Sequence, residues 1–407
     1  MPEWVKVVFD GIGTQLFSII ISVLIGGTGA GLIVYKIIKK NNMKQVQKSC
    51  SNSKQIIGEN ITFYEGITEE KAREICTEVA NKAIDEFSVI ANNRANEKIQ
   101  NFGNELISRI EKTETGLEIF SDPAFQVLLK RAQITAACSE REDDYKILSE
   151  LLVHREKNKT NIKKKASIMK AVEIIDQIDD DSLCGLTVFH LLETIVPNTG
   201  DIKKGLEILS GMYEKLPLND LPKDALWIDN LAVLGAITTK QFSRLKEFDE
   251  VFFNKLPGYV CAGIKADGEE YQQIIKQAQD CGFDASIFFV KNELVNGYVR
   301  LDIKEIEDID SFEMVKVNVQ TGVKSIIQLT KEQKDCLYSA YNLYDKDKEI
   351  LSEAKRNFSN LINQYSSLQT IKNWWNSING SISITSVGRV IAHTYAKSID
   401  NTLPDLD

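Results

Sequence analysis

The sequence predicts a mainly α protein with one transmembrane helix near its N-terminus, a long amphipathic helix, and a multi-helix domain carrying a small β-hairpin element. Three observations carry that expectation. No charged side chain occurs between Gly11 and Tyr35, a run long enough for a helix to cross the hydrocarbon of a bilayer. Apolar residues then recur at three- and four-residue steps through most of residues 68–253, the period of a helix with one buried face. Finally, Asn296-Gly297 sits between two β-prone runs, SIFFVKNELV and YVRLDI, the usual signal of a hairpin turn.

The elements follow in order. Residues 1–40 read as a membrane anchor, with the helix at about 14–38. A cleaved signal peptide fits less well, because the start holds Glu3, Lys6 and Asp10 and the apolar run is long and leads straight into a basic stop. Lys36, Lys39, Lys40, Lys44 and Lys48 follow the span, whereas Lys6 alone precedes it. The positive-inside rule therefore puts the N-terminus outside and the large domain in the cytoplasm. Within the span, Gln15, Ser18, Ser22, Gly26 and Gly29 form one small or polar stripe, and Gly27 and Gly31 add a GxxxG spacing. Either close helix packing or the lining of a narrow pore accounts for the stripe, and both require a homo-oligomer in the lipid bilayer.

Residues 41–66 read as a linker and a short β segment, with β-like runs at Ile56-Ile57 and Ile61 to Tyr64. Thr68 is a candidate N-cap, followed by Glu69 and Glu70 where the helix dipole favours acid. The long amphipathic helix is expected over residues 67–120, with Ala72, Ile75, Val79, Ala83, Phe87, Ile90, Ala95, Ile99, Phe102, Leu106 and Ile110 at helical steps, interrupted at Asn92, Asn93 and Arg94.

A helical array is expected over residues 121–257. It opens at Ser121-Asp122-Pro123, with Pro at the first helical position, and continues as helices at 124–139, 143–157, 162–178, 182–196, 202–216, 223–237 and 241–253. Pro197, Pro217, Pro222 and Pro257 fall in its gaps. A C-terminal α+β region spans 258–399, with the hairpin, a capping box at Thr330 (TKEQ), a helix over 351–377, and a short strand leading into a last helix through ITSVGRVIAHTYAKS. Residues 400–407 read as an acidic tail.

Composition excludes several function classes. The net charge of -9, from 58 acidic and 49 basic side chains, argues against bulk coating of nucleic acid. Seven scattered cysteines without a CxxC pair suggest neither a disulfide framework nor a zinc knuckle. His154, His190 and His393 show no ligand-like spacing. No catalytic motif, phosphate loop or dinucleotide fingerprint lies in a suitable context, so neither an enzyme nor a cofactor is expected.

One electrostatic feature stands out in this acidic chain. HREKNKTNIKKKASIMK gathers Arg155, Lys157, Lys159, Lys163, Lys164, Lys165 and Lys170 around a helix-helix turn. Lysines beside a helix start suit the phosphates of a nucleotide or single-stranded oligonucleotide. A solvated basic face, or one drawn to anionic lipid, is the competing reading.

The segments IIGENITFYEGITEEKAREICTEV, YKILSELLVHRE, LTVFHLLETIVP, GLEILSGMYEKL and the ending from LTKEQ to ITSVGRVIAHTYAKS resemble a poorly characterised family of bacterial helical-domain proteins. That family has a GIT-E-E-K-A helix start and a TSVG ending. With a span in front, the architecture is similar to the membrane effector of Hailong-type anti-phage defence. This resemblance implies an oligomeric ion channel in the bacterial inner (plasma) membrane, gated by an oligonucleotide from a partner nucleotidyltransferase. A membrane-tethered scaffold or adaptor that positions a partner protein is the alternative.

Overall fold

The computed structural model describes residues 69–406, apart from 114–115, 159, 241–242 and 318–323. The expected span, with its stripe of Gln15, Ser18, Ser22, Gly26, Gly27, Gly29 and Gly31, lies outside the described residues, as do the linker and the first β segment. Among the described residues no helix is long and apolar enough to cross a membrane. The protein is mainly helical and divides into two units, one ending at Asp176 and the other starting at Gln177.

The first unit is a helix bundle. Helix α1 (Glu69–Ile110) contributes Ile99, Phe102, Leu106 and Ile110 to its core. Helix α1 packs on α2 (Pro123–Cys138), which buries Phe125, Leu129 and Ala132, and on α3 (Asp143–Lys157), which buries Leu148, Leu151 and Leu152; α4 (Ile162–Ile174), with Ile168 and Val172 buried, packs on α2 and α3. Lys98 Nζ donates to Ser139 O at 2.6 Å, and Arg109 pairs with Glu150 at 2.7 Å. Both pairs have the same sequence separation, so α3 runs in the same direction as α1. Its C-terminal end, and the turn into α4, therefore lie at the C-terminal end of α1.

Helix α2 starts as expected: Asp122 is the N-cap, accepting from Ala124 N–H, and Pro123 follows it. The expected helix over 67–120 is shorter in the structure. It ends at Ile110, where Thr113 Oγ1 donates back to Ile110 O at 2.7 Å, and a 3-10 turn, Gly116–Ser121, starts from a glycine with φ of 50°. That left-handed conformation cannot continue an α-helix.

In the second unit α5 (Asp180–Thr194) is buried on every side from Ser182 to Leu192 and is the central helix. Asp179 caps it by accepting from Ser182 N–H, which assigns a structural task to part of the acidic cluster 179–181. The other helices of the unit are α6 (Ile202–Tyr213), α7 (Leu226–Val233), α8 (Phe248–Lys255), α9 (Glu269–Asp280), α10 (Lys331–Asn342), α11 (Lys348–Ile362), α12 (Ser366–Ser377) and α13 (Ser386–Ile399). Phe189 of α5 stacks on Trp375 of α12, and α13 packs along α5.

Among the described residues three small antiparallel sheets accompany the helices. Strand β1 (Ile237–Lys240) pairs with β7 (Ser381–Ile384), Ile237 opposite Ile384. β2 (Ile264–Lys265) and β3 (Phe289–Lys291) flank β4 (Tyr298–Leu301), and β5 (Glu313–Val317) pairs with β6 (Lys324–Gln328). The expected hairpin is the β3–β4 pair, with Gly297 at φ of 81°, and Thr330 and Gln333 form the expected capping box. A second apolar core gathers Ile264, Ile274, Phe288, Leu301, Leu337 and Tyr344 around the three-stranded sheet.

Several expectations are corrected. The helix expected at 223–237 stops at Val233, because Gly235 has φ of 76° and the β-branched Ile237-Thr238-Thr239 enters β1. The helix expected at 241–253 is confined to Phe248–Lys255. That expected at 351–377 is two helices, α11 and α12, broken at residues 363–365. Helix α9 and the β5–β6 pair were not expected at all. The expected acidic tail folds back. Asp400 pairs with Lys215 at 2.6 Å, Leu403 is buried, Asp405 pairs with Lys397, and Pro404 O lies 2.9 Å from His393 Nε2.

Candidate functional site

The basic turn between α3 and α4 is built from the capping of two helices. Asn161 caps α4 by accepting from Lys164 N–H at 3.0 Å. Lys163, Lys164 and Lys165 thus occupy the first turns of α4, which has no acidic residue at its start. A helix N-terminus carries partial positive charge and disfavours cations. Among the described residues none forms an ion pair with these three lysines, so their mutual repulsion is left to solvent or to a bound anion. Lys163 is exposed and Lys164 and Lys165 are half-buried.

The remaining basic residues divide differently from the sequence expectation. Arg155 is a correction: it is buried at 8% exposure and its Nη1 reaches the Asp122 carboxylate at 3.3 Å. The Arg155 guanidinium holds that carboxyl below its ordinary range together with the backbone N–H of Ala124, which is the larger cause. Arg155 therefore joins α3 to the start of α2 rather than facing a ligand. Lys157 is exposed in the last turn of α3, where a cation suits the dipole. Lys170 lies two turns along α4 and approaches Glu173 at 3.8 Å, while Glu173 also pairs with Arg131 of α2. Lys159 lies outside the described residues. Lys163, Lys164 and Lys165 therefore lie about 100° apart around the first turn of α4, with Lys163 the most exposed of the three; Arg155 is turned away from them, and Lys170 is exposed two turns further along.

The face has a second component that charge counting missed. Ile162 is 78% exposed and Met169 38% exposed, with exposed Ala166 between them. Steps of four and three residues put the three on one side of α4, beside the lysines. The signal was present in the sequence as an apolar residue at the first helical position.

Other groups with chemical capacity are engaged structurally. Arg300, 1% exposed, donates to Gly200 O at 2.9 Å and Leu301 O at 3.0 Å and lies over the Tyr259 ring. Asp249 Oδ2 accepts from Ser359 Oγ and, at 2.8 Å, from Lys372 Nζ, tying α8 to α11 and α12. Burial pushes the Cys184 and Cys261 thiols up to about 12, so neither is a nucleophile at neutral pH. Burial also brings Lys255 down to about 8, while its Nζ donates to Leu192 O. Among the described residues no group of His, Cys, Asp and Glu is arranged to hold a metal ion.

A protein-family model matches residues 66–406. The chain belongs to that uncharacterised family. No curated protein and no solved structure matches the chain. The family match covers both units and the ending TSVG, whose structural task is now visible. Thr385 caps α13 by accepting from Gly388 N–H at 3.2 Å and donates to Ala236 O at 2.9 Å, while Gly388 lies so close to Ala236 that a Cβ would stand 2.1 Å from its carbonyl oxygen. The motif joins α13 to the start of β1.

Proposed function

We propose that the protein is an oligomeric membrane effector, an ion channel or pore of bacterial anti-phage defence, gated by a nucleotide or oligonucleotide read at the α3–α4 turn. The observation that carries the reading is the triplet Lys163-Lys164-Lys165 at the start of α4, without an ion-pair partner among the described residues, in a chain of net charge -9. Phosphate oxygens would meet first-turn N–H groups and ammonium groups together. Because α3 runs with α1, this turn lies at the far end of α1 from Glu69. At 1.5 Å per residue α1 is about 63 Å long, so a site there suits a soluble ligand better than the headgroups of the bilayer that holds the expected span.

The span supplies the output in this reading, with Gln15, Ser18, Ser22, Gly26 and Gly29 facing the conducting path and Gly27 and Gly31 the neighbouring helix. The second reading, a membrane-tethered adaptor, is favoured by the exposed row Ile162, Ala166 and Met169, which suits the side chains of a protein partner.

Binding and flux separate the two. Full-length protein in liposomes is titrated with fluorescent single-stranded oligoadenylate, and ion flux is recorded alongside. Binding that weakens steeply with salt and is abolished by replacing Lys163, Lys164 and Lys165 with Glu is the expected result. Unchanged affinity in that variant removes the site. Depolarisation that persists at the normal level in an assembled Ser22→Leu variant removes the stripe as the pore lining, and wild-type protein that binds the oligonucleotide without any ion flux leaves the adaptor.

A further inference from the structure

We infer that the exposed face of α4 in one copy of this chain docks on the exposed face of α7 in a second copy. The inference assigns a partner to the row that favours the adaptor reading and goes beyond that reading, since the contact needs neither the span nor a nucleotide.

The two faces stand out by exposure. Among the described residues the three most exposed large apolar side chains are Val233 at 86%, Ile162 at 78% and Leu226 at 69%. Ile162 is the first residue of α4, and Leu226 and Val233 are the first and last of α7. Helix α7 is held in its own unit by Trp227, Ile228 and Leu231, which are buried. Leu226 and Val233 therefore lie on the side that this packing does not use. One exposed apolar side chain is ordinary, whereas two on a single helix face form a patch that suits a partner.

The two rows match in spacing. Ile162 and Met169 are seven positions apart, with Ala166 between them, and Leu226 and Val233 are also seven apart. Seven residues make two turns, about 10.5 Å along the axis. Laid side by side, the helices bring both apolar pairs together at once.

The rows are opposite in charge. At about 100° per residue, Lys163 and Lys170 flank the α4 row on one side and Lys165 flanks it on the other. Asp229 flanks the α7 row on one side. On the other, Asn230 Nδ2 lies 3.3 Å from Asp179 Oδ2. Asp224 precedes the row, its Oδ1 accepting from Leu226 N–H at 2.9 Å. Residues 157–170 hold six lysines and no acid, whereas residues 177–181 and 220–233 together hold six aspartates and one lysine, Lys223.

That contrast selects the occupant. Pairing α4 with α4, or α7 with α7, sets like charges around the buried rows, and like-charge juxtaposition disfavours such partners. Pairing α4 with α7 sets lysine beside aspartate on both flanks. Every copy carries both faces, so each gives one and receives the other, a contact that builds a closed ring or an extended array.

The test mixes equal amounts of unlabelled and heavy-nitrogen-labelled full-length protein in mild detergent and joins touching amines and carboxylates with a carbodiimide. Links between unlike copies are expected from Lys163, Lys165 or Lys170 to Asp224 or Asp229, and fewer of them as salt rises. Links within one copy only, links to other acids of the second copy, or none overturn the inference. Lys163→Glu and Asp229→Lys are each expected to lower the yield about fivefold, the worth of one exposed ion pair, read at the links that the substitution leaves intact. An equal mixture of the two variants is expected to recover the yield, because unlike copies then present matched faces. Without that recovery the loss does not lie at this contact, and the inference fails. Oligoadenylate binding and ion flux without links between copies would remove the contact and keep the effector reading; links without binding or flux do the reverse.

Discussion

His190 Nε2 stands 3.2 Å from His393 Nδ1, although 203 positions separate the two residues. The second nitrogen of His393 faces Pro404 O, so one hydrogen-bond chain runs from the central helix α5 through α13 to the folded-back C-terminus. With His393 donating to that carbonyl, its Nδ1 accepts from His190 Nε2–H. The Nδ1 of His190 is then a bare acceptor, buried without a partner.

This arrangement makes stability depend on pH. Burial, and secondarily the charge of His393, bring His190 down to about 3, whereas an unfolded His titrates near 6.5. Between those values the unfolded chain binds the proton and the folded one does not, so stability is full above about 6.5 and falls with acidification toward 3. From pH 7 to pH 5 the loss from this group is about 2 kcal/mol. His190→Gln keeps the amide donor toward His393 and removes the titration. Urea unfolding at the two pH values is expected to show a smaller difference for the variant, and an identical difference would sink the assignment.

A glycine at a close approach gives a second expectation. The Cβ of Gly388→Ala would lie 2.1 Å from Ala236 O, which also accepts from Thr385 N–H at 3.0 Å. Neither backbone can yield without loosening the cap of α13 or the β1–β7 pair. The variant is expected to lose about 1–3 kcal/mol, read as a lower unfolding midpoint. A wild-type midpoint would show that the contact is dispensable.

How much of this was legible beforehand depends on the range of the interaction. Caps and turns are local: Asp122-Pro123, Thr330 with Gln333 and Asn296-Gly297 stand where the sequence put them, and α3 spans Asp143–Lys157 as expected. Partners distant in the chain were not legible. Arg155 turned inward because Asp122, 33 positions earlier, is held as a helix cap beside it. Thr238 became a strand residue because Ser383 lies opposite. The basic turn was visible as composition, but which of its cations remain open depended on Asp122 and Glu173, which spacing alone does not bring to them.

Gln133 of α2 is fully buried, and neither its amide oxygen nor its amide nitrogen has a hydrogen-bond partner. Burying such groups unpaired costs about 1–3 kcal/mol. Gln133→Met, close in volume and without polar atoms, is expected to raise the unfolding free energy by about 1 kcal/mol or more. A destabilised variant would mean that the amide has a role in the bundle that its surroundings do not reveal.

The lysines at the start of α4 separate stability from binding most directly. A cation in a first turn opposes the helix dipole, and an acid there favours it, by roughly 0.3–1 kcal/mol at low salt. Lys163→Glu is therefore expected to raise the stability of the ligand-free protein slightly, because no ion pair is lost and an unfavourable charge becomes favourable. The same change is expected to weaken oligoadenylate binding and to reduce its salt dependence by about one ion. Opposite signs in the two measurements mark residues kept for a ligand at the expense of the helix that carries them. If Lys163→Glu lowers both stability and affinity, the lysine supports the turn rather than a bound anion, and the affinity loss reports misfolding. If it raises stability and leaves affinity untouched, the cationic face is a solvated one, and the ligand of this protein is bound elsewhere.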